Sequence, residues 1–543
     1  MNNHSNRSST GSKPRRYWFA GVPKDYVLPT SSKTLSVDVQ ELQTKHYRPA
    51  ELNGNKDIQE TKKVTAKTVW EGFSNFTSSH GITQVYSSAG VVKRVAWLIL
   101  SVISTVFLCI HLTILGKSYT SFTTTTNIEL IGARRIAFPA VTICNNNPIK
   151  YSELQTQANK NLSDLIDEGW NATVENDDGI PSFRVTYAKL AENLVLLNSS
   201  AKFQLGYTRQ EMFSSCSFGG QACDFEDFWQ FYDSNYGTCY TFNSGNIENA
   251  TSRYTTLAGS SYGLSLEINV GSYEYIPFLT ESEGVQVIVH NSSVMPFPEY
   301  TSISVSTGTL SNIALHKKVI KRLNGKYGNC TEQDNSLENM YAIPFNVTYS
   351  EWACLRTCFQ KELIRQCKCF DANLPYNMTS VVFAGLPIAA APCSVSVQAD
   401  TDCMDDLGRQ YAARTLQCKQ CTQSCYEEQY DTSLSSSFFP AQQYSNNFIQ
   451  RLRPNVRERL EEAYGDLNHS VIQRNFLKLN VFYDTIGYTL YEQVPSYGDF
   501  QFLSDLGGTF GLWVGWSVLT FFEFIGFAAD LLVYLCYKKG CCT

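Results

Sequence analysis

The stretch that most constrains this chain lies near its C-terminal end. From Thr509 to Tyr537 run 29 mostly apolar residues, which as one straight helix would measure about 43 Å against a hydrocarbon core of about 30 Å. Glycines stand at 507, 508, 511 and 515, and the carboxylates Asp505 and Glu523 sit within or beside the run. A plain membrane anchor needs neither the extra length nor the glycines. Glycine suits places where backbones crowd or leave helical geometry. Non-helical backbone at membrane depth is tolerated only when buried in protein or lining water, and an ionisable residue there marks an ion path. A kinked anchor with small residues for helix packing is the plainer alternative. The combination favours a pore-lining element.

A first apolar run, Val95–Leu115, has the length of one span. Lys93 and Arg94 precede it, and residues 1–94 carry 14 basic against 7 acidic side chains. Lys538 and Lys539 follow the second run. By the positive-inside rule both termini are cytosolic. The layout is therefore a cytosolic tail (1–94, polar and disordered over most of its length), a first transmembrane helix (95–117), an extracellular domain (118–499), a second transmembrane helix (500–537) and a short cytosolic tail (538–543) of a multi-pass plasma-membrane protein. His111 falls near the outer end of the first run, where it reads as interfacial. His80-Gly81 precedes that run and by itself signals no more than a turn. A net charge of −6 over 543 residues offers nothing to a nucleic acid.

Fourteen of the 18 cysteines lie between the two runs, from Cys144 to Cys425. An even number confined to one segment fits an oxidised extracellular domain. The same segment carries Asn-x-Ser/Thr sites for glycosylation at Asn161, Asn171, Asn198, Asn249, Asn291, Asn329, Asn346, Asn377 and Asn468. Short β-rich runs, such as 263–270, 285–290 and 477–483, alternate with Pro/Gly-rich turns. They predict a β-sheet core bearing helical and disulfide-rich lobes, hence an α/β membrane protein. Among Cys330, Cys354, Cys358, Cys367, Cys369, Cys393, Cys403, Cys418, Cys421 and Cys425, the close pairs could suit zinc, but the segment contains no histidine. Disulfides are favoured. Cys354 and Cys358 are one helical turn apart, and Cys418, Cys421 and Cys425 follow spacings of three and four, which predicts two helices stapled side by side. No catalytic constellation, metal site or cofactor motif is present, so the chain does not read as an enzyme.

Several separated pieces together resemble one family: Phe138-Pro-Ala-Val-Thr-Ile-Cys-Asn145, Gly237-Thr-Cys-Tyr-Thr-Phe-Asn243, the ten-cysteine cluster, and Gly507-Gly508, Gly511 and Gly515-Trp516-Ser517 followed by Glu523. From about His80 to Glu523 the chain is similar to the degenerin/epithelial sodium channel/acid-sensing channel superfamily. The resemblance implies a homotrimer, or a trimer with related subunits, of two transmembrane helices per chain. It further implies an extracellular domain of β-sheet palm and β-ball with helical finger, thumb and knuckle, and a sodium-selective pore blocked by amiloride. It implies the bridges Cys144–Cys239, Cys216–Cys223, Cys330–Cys425, Cys354–Cys421, Cys358–Cys418, Cys367–Cys403 and Cys369–Cys393.

The resemblance also assigns Gly515, Trp516 and Ser517 to the selectivity filter and His80 and Gly81 to a re-entrant segment beneath it. Ser504, Asp505, Gly508, Gly511 and Glu523 fall to the pore and gate. Tyr327 matches an aromatic that couples the thumb to the pore through a partner near Tyr119 or Phe122. Of the palm carboxylates of acid-sensing members, Asp484 is kept, while Leu130 and Thr489 stand at two others. By general likeness, together with this weakened acid-sensing set, the chain most resembles the invertebrate peptide-gated (FMRFamide-gated) members, with proton gating or constitutive activity as alternatives. Asp224, Phe225, Glu226, Asp227, Phe228 and Trp229 are candidate contacts for a basic, aromatic peptide, with a finger-packing helix as the plainer reading of the same stretch. From other classes, a glycosylated two-span receptor without a pore lacks a reason for the glycines and Glu523, and an ATP-gated channel would need clustered external lysines.

Overall fold

The computed structural model describes residues 65–175, 179–247, 252–276, 279–332, 339–376, 391–416 and 418–538. Residues 1–64 of the tail, Lys539, and the sequons at Asn249 and Asn377 lie outside the described residues. The chain forms two units, and every contact discussed below lies within Glu71–Ala529.

Helices α1 (Ala66–Phe76), α2 (Ile82–Ser87) and α3 (Val91–Thr120) come first. The last extends past the expected 95–117 at both ends. Its mean hydropathy reaches 2.5, yet only 6% of that window is buried. So much uncovered apolar surface requires a non-aqueous surrounding or a partner.

Beyond α3 the chain enters a seven-stranded sheet. Its strands are β1 (Thr124–Gly132), β3 (Phe213–Phe218), β6 (Leu264–Asn269), β9 (Thr309–Lys321), β10 (Tyr426–Phe438) and β11 (Phe476–Pro495), with the short Gln221–Ala222 at one edge. The 20-residue β11 is the spine. It runs parallel to β9 along one edge; the other edge pairs antiparallel with β6 near its start and β1 near its end. A five-stranded sheet in the order β8-β7-β2-β5-β4 combines β2 (Ala140–Asn145), β4 (Phe228–Asp233), β5 (Gly237–Phe242), β7 (Gly284–His290) and β8 (Ile303–Ser306). The sheets share one core: Leu264, Leu266, Ile268, Leu479 and Val481 from the first meet Val141, Ile143, Phe242, Val285 and Val287 from the second. Those residues recur at every second position, the period that puts side chains on one face of a strand.

Two helical lobes attach to this core. Helices α4 (Lys160–Glu175) and α5 (Gly179–Val195) share a cluster of Leu162, Ile166, Leu190 and Leu194 with Leu205 and Ile276. Helices α6 (Glu351–Gln366) and α7 (Gln398–Ala412) form the bridged lobe. Ser350 starts α6 by accepting from the Ala353 amide. The seven bridges join the cysteine pairs named above. Three short helices, Ser445–Arg451, Pro454–Tyr464 and His469–Asn475, lead into β11.

Two local expectations are corrected. Cys418, Cys421 and Cys425 do not share a helix: α7 ends at Ala412, and the cysteines follow in turns and a β-bridge. Thr331 and Ser424 bridge in parallel, and the Thr331 amide bonds to the Gln423 carbonyl. Those bonds hold extended backbone where the cysteine spacing alone would allow a helix. Likewise, 224–233 is not a helix. It is a 3₁₀ turn followed by β4, an edge strand paired with β5, as its run of aromatic residues permits.

Candidate functional site

The second apolar run is broken. Helix α8 (Asp499–Val514) stops at Gly515, which has φ +71° and ψ +20°, and helix α9 (Val518–Lys538) restarts three residues later. The Gly515 amide bonds back to the Gly511 carbonyl at 3.1 Å, the left-handed helix stop that glycine adopts without strain. Ser517 begins α9: its Oγ accepts from the Thr520 amide at 3.3 Å, while its own amide donates to Thr520 Oγ1 at 3.1 Å. Among the described residues no hydrogen bond ends on the Gly515 or Trp516 carbonyls.

Beneath the break lies the turn between α1 and α2. The His80 amide donates to the Val514 carbonyl at 3.2 Å, one of the acceptors freed where α8 ends. The His80 ring sits so close that a Cβ on Gly515 would stand 1.7 Å from its Nδ1. Gly81 has φ +98°, and a Cβ there would meet Ser101 Oγ at 2.5 Å. The Trp516 indole is turned to its own chain: Nε1 donates to Ser79 Oγ at 2.8 Å, and the ring lies parallel to Phe510 and against Phe524. Its bulk therefore does not occupy the opposite side.

With 3.6 residues per turn, Phe502, Leu506, Thr509 and Trp513 form one face of α8. Trp513 lies against α3, stacking on Phe107 at 4.9 Å and donating to His111 Nδ1 at 3.1 Å. His111 thus accepts a bond that ties α3 to α8. Roughly opposite stand Ser504, Gly508 and Gly511, all exposed. A Cβ on Gly511 would be 3.9 Å from the Trp516 carbonyl oxygen. The small-residue stripe and the unbonded carbonyl therefore share a side. Asp505 lies off that stripe and accepts from Tyr497 at 2.6 Å and Gln501 at 2.8 Å.

Glu523 faces the turn. Its Oε2 accepts from the Ser78 amide at 2.8 Å, Thr77 Oγ1 at 3.1 Å and Ser78 Oγ at 3.2 Å. Thr77, Ser78 and Thr520 escaped the reading of the sequence; the signal for Thr520 was a polar residue three after Ser517, inside an apolar run.

At the top of α8, aromatic rings join the sheet domain to both helices. Phe122 meets Tyr327 edge-on at 5.6 Å, and Tyr119 stacks on Phe502 at 4.4 Å and donates to Asp499 at 2.9 Å. The Lys326 ammonium lies 5.0–5.7 Å from the rings of Tyr119, Phe122 and Tyr327, within cation–π range.

Of the residues matched to acid-sensing carboxylates, Leu130 and Thr489 are direct partners across β1 and β11. Thr489 Oγ1 bonds to His316 Nε2 at 2.9 Å, and Asp484 lies 3.6 Å from His316 Nδ1. The candidate peptide contacts are largely committed within the chain. Phe228 is 1% exposed, Asp227 pairs with Arg253 at 2.7 Å, and Asp224 caps the 3₁₀ turn. Phe225 packs against the core, and Trp229 stacks on Phe231. Of the six, Phe228 is corrected outright: a buried core ring offers no ligand surface. At the end of β4, burial, with Glu299 nearby, pushes the Asp233 carboxyl up to about 6. Among the described sequons, Asn161, Asn171, Asn198, Asn329, Asn346 and Asn468 are exposed. Asn291 is half-buried and donates to Glu428 at 3.0 Å.

A broken apolar helix with a carbonyl and a small-residue stripe on one side, set against the His80 turn and tied to a disulfide-rich β domain, has the form of an ion-channel subunit. The sequence model of the amiloride-sensitive sodium channel family matches residues 73–527, and the chain belongs to that family. It is 25% identical to the human epithelial sodium channel subunit beta over 88% of this chain and 84% of that protein. It is also 25% identical to the epithelial sodium channel subunit beta of Neoceratodus forsteri, over 84% of this chain and 80% of that protein. Degenerin del-1 of Caenorhabditis elegans is 29% identical over 63% of this chain and 48% of its own. These relatives are sodium channel subunits and a degenerin, not enzymes.

Proposed function

We propose that the chain is one subunit of a trimeric, sodium-selective, amiloride-blocked channel of the plasma membrane, with both termini cytosolic and residues 118–499 outside. The assembly is a homotrimer or includes related subunits. The observation that carries this reading is the break at Gly515–Ser517. Three copies around an axis would present the Trp516 carbonyls to a partly dehydrated sodium ion, and the stripe of Ser504, Gly508 and Gly511 would let three helices converge. The larger sheet is then the palm, the smaller the β-ball, α4–α5 the finger, α6–α7 the thumb and the short helices before β11 the knuckle.

The rings around Lys326 serve as the coupling between thumb and pore. An aromatic pair contributes about 0.5–1.5 kcal/mol and an exposed cation–π contact about 0.5–1 kcal/mol. Tyr327→Ala should lower the ratio of open to closed channels at saturating stimulus by about tenfold. Single-channel recording should find the permeability ratio unchanged. A normal open probability would remove these rings from the coupling path.

The stimulus is an extracellular peptide on this reading, which rests on the resemblance: Leu130 and Thr489, partners across β1 and β11, match positions where acid-sensing members carry carboxylates. In voltage-clamped cells, an amidated Phe-Met-Arg-Phe-type peptide should evoke a current about tenfold or more above that of a step to pH 5. Asp233 supports a second reading. As pH falls through about 6 its carboxylate takes up a proton and its repulsion with Glu299 relaxes. A large acid-evoked current without any peptide response would select this reading, and Asp233→Asn should then remove the component near pH 6. Standing amiloride-sensitive current without either stimulus would make the channel constitutive.

A further inference from the structure

Glu523 is a carboxylate bonded to the turn beside the break, and an ion pathway would have an obvious use for it as a bare ligand. Its surroundings argue otherwise. Three donors from the turn before α2 converge on a single oxygen: the Ser78 amide, the Ser78 hydroxyl and the Thr77 hydroxyl, at 2.8, 3.2 and 3.1 Å. A carboxylate accepts only, so it fixes the direction of the hydroxyl chain behind it. Ser78 donates to Glu523. Ser78 Oγ then accepts from Thr520 Oγ1 at 2.7 Å, and Thr520 in turn accepts from Ser517 Oγ at 3.2 Å. Thr520 is fully buried. The same turn is fixed to the break by Ser79, which accepts from the Trp516 indole, and by the His80 amide on the Val514 carbonyl. Its own bend is braced by Thr77, whose hydroxyl oxygen accepts from the Ser79 amide at 3.3 Å.

We infer that Glu523 acts on ion selection as a positioning residue: through Thr77 and Ser78, and through Thr520, it holds Ser517 and the backbone of 515–517 at a fixed aperture. The inference rests on the proposed sodium channel. In such a channel the specificity for sodium depends on the cytosolic-side tract Thr77-Ser78-Ser79, which touches no ion itself. Hydroxyl chains that end on a charge polarise one another, so losing any member should loosen the whole set. The links are shared, and their losses should not add.

The test is the sodium-to-potassium permeability ratio from reversal potentials, compared at matched surface expression. Thr520→Val keeps the shape and removes the hydroxyl; Ser78→Ala keeps the amide bond to Glu523 and removes the bridge. Each should lower the ratio by about three- to tenfold, the loss that one missing buried hydrogen bond implies. The double variant should be no worse than the more affected single, and Thr520→Ser should retain the wild-type ratio. Glu523→Gln should fall with this set and should not add to Ser78→Ala. If Glu523→Gln alone changes the ratio, while Ser78→Ala and Thr520→Val hold it within about twofold, Glu523 is an ion ligand and the inference is overturned. A wild-type chain that carries no sodium current would defeat the proposed function instead. The clamp is then read directly: in oxidised membranes Ser78→Cys with Thr520→Cys should form an intrachain bridge, seen by mass spectrometry of unreduced peptides. A surface-expressed double variant that forms no bridge overturns the clamp.

Discussion

A Gly515→Ala channel is expected to reach the surface and to carry almost no sodium current. Two independent costs fall on one methyl group. The left-handed backbone at Gly515, φ +71°, penalises an L side chain by about 1–2 kcal/mol. The new Cβ would also stand 1.7 Å from His80 Nδ1 and 2.6 Å from two ring carbons. That is far inside contact distance, and forced overpacking adds about 1–3 kcal/mol. Since 1.4 kcal/mol is tenfold in an equilibrium constant, the broken-helix geometry should become a minor state. The ring is movable and the backbone is not, so Gly515→Ala with His80→Ala should recover only part of the current. Surface biotinylation alongside voltage clamp separates loss of conduction from loss of folding. Wild-type current in Gly515→Ala would mean that His80 does not lie under the break in the working channel.

The opposite change is expected at Ser504. It stands on the stripe with Gly508 and Gly511, on the face of α8 away from Trp513 and α3. In a trimer closed by convergence of these stripes, three serines fit and three phenylalanines collide. Overpacking of about 1–3 kcal/mol that falls mainly on the closed state raises the open-to-closed ratio by about tenfold or more. Ser504→Phe should therefore give a standing, amiloride-sensitive sodium current without any stimulus, while Ser504→Ala stays closed at rest. If Ser504→Phe reaches the surface, still opens to its stimulus and adds no resting current, the stripe does not line the closing constriction.

Much of this was legible in the residues for local reasons. The excess length and glycines of the second run require a departure from a straight helix, and the break falls at one of those glycines. Alternating apolar residues at 264–268 and 285–287 could be read as strands because period two is a local property. Other features carried no local signal. The bonds from Thr77 and Ser78 to Glu523 span about 445 positions of chain, and no pattern within either segment announces them. Lys326 reads as an ordinary surface lysine until three rings gather under it. The turns at Cys418–Cys425 show the converse limit. Spacings of three and four suit a helix face, but a bridge to Thr331 and the disulfides to α6 fix an extended path instead. In 224–233, tertiary pairing with β5 imposes an edge strand where the sequence reading expected a packing helix.

On the proposed function, the broken helix over the His80 turn forms a sodium-selective conduction path. It is tested most directly by whole-cell current under voltage clamp in cells expressing the chain, with external sodium replaced by a large organic cation. The expected result is an inward current that amiloride blocks and that disappears on replacement, its reversal potential moving with external sodium. A Gly515→Ala control at equal surface level should lack it. A chain at the surface with no such current, alone or with related subunits, or a current that persists unchanged in the organic cation, would mean that the broken helix is not a sodium path.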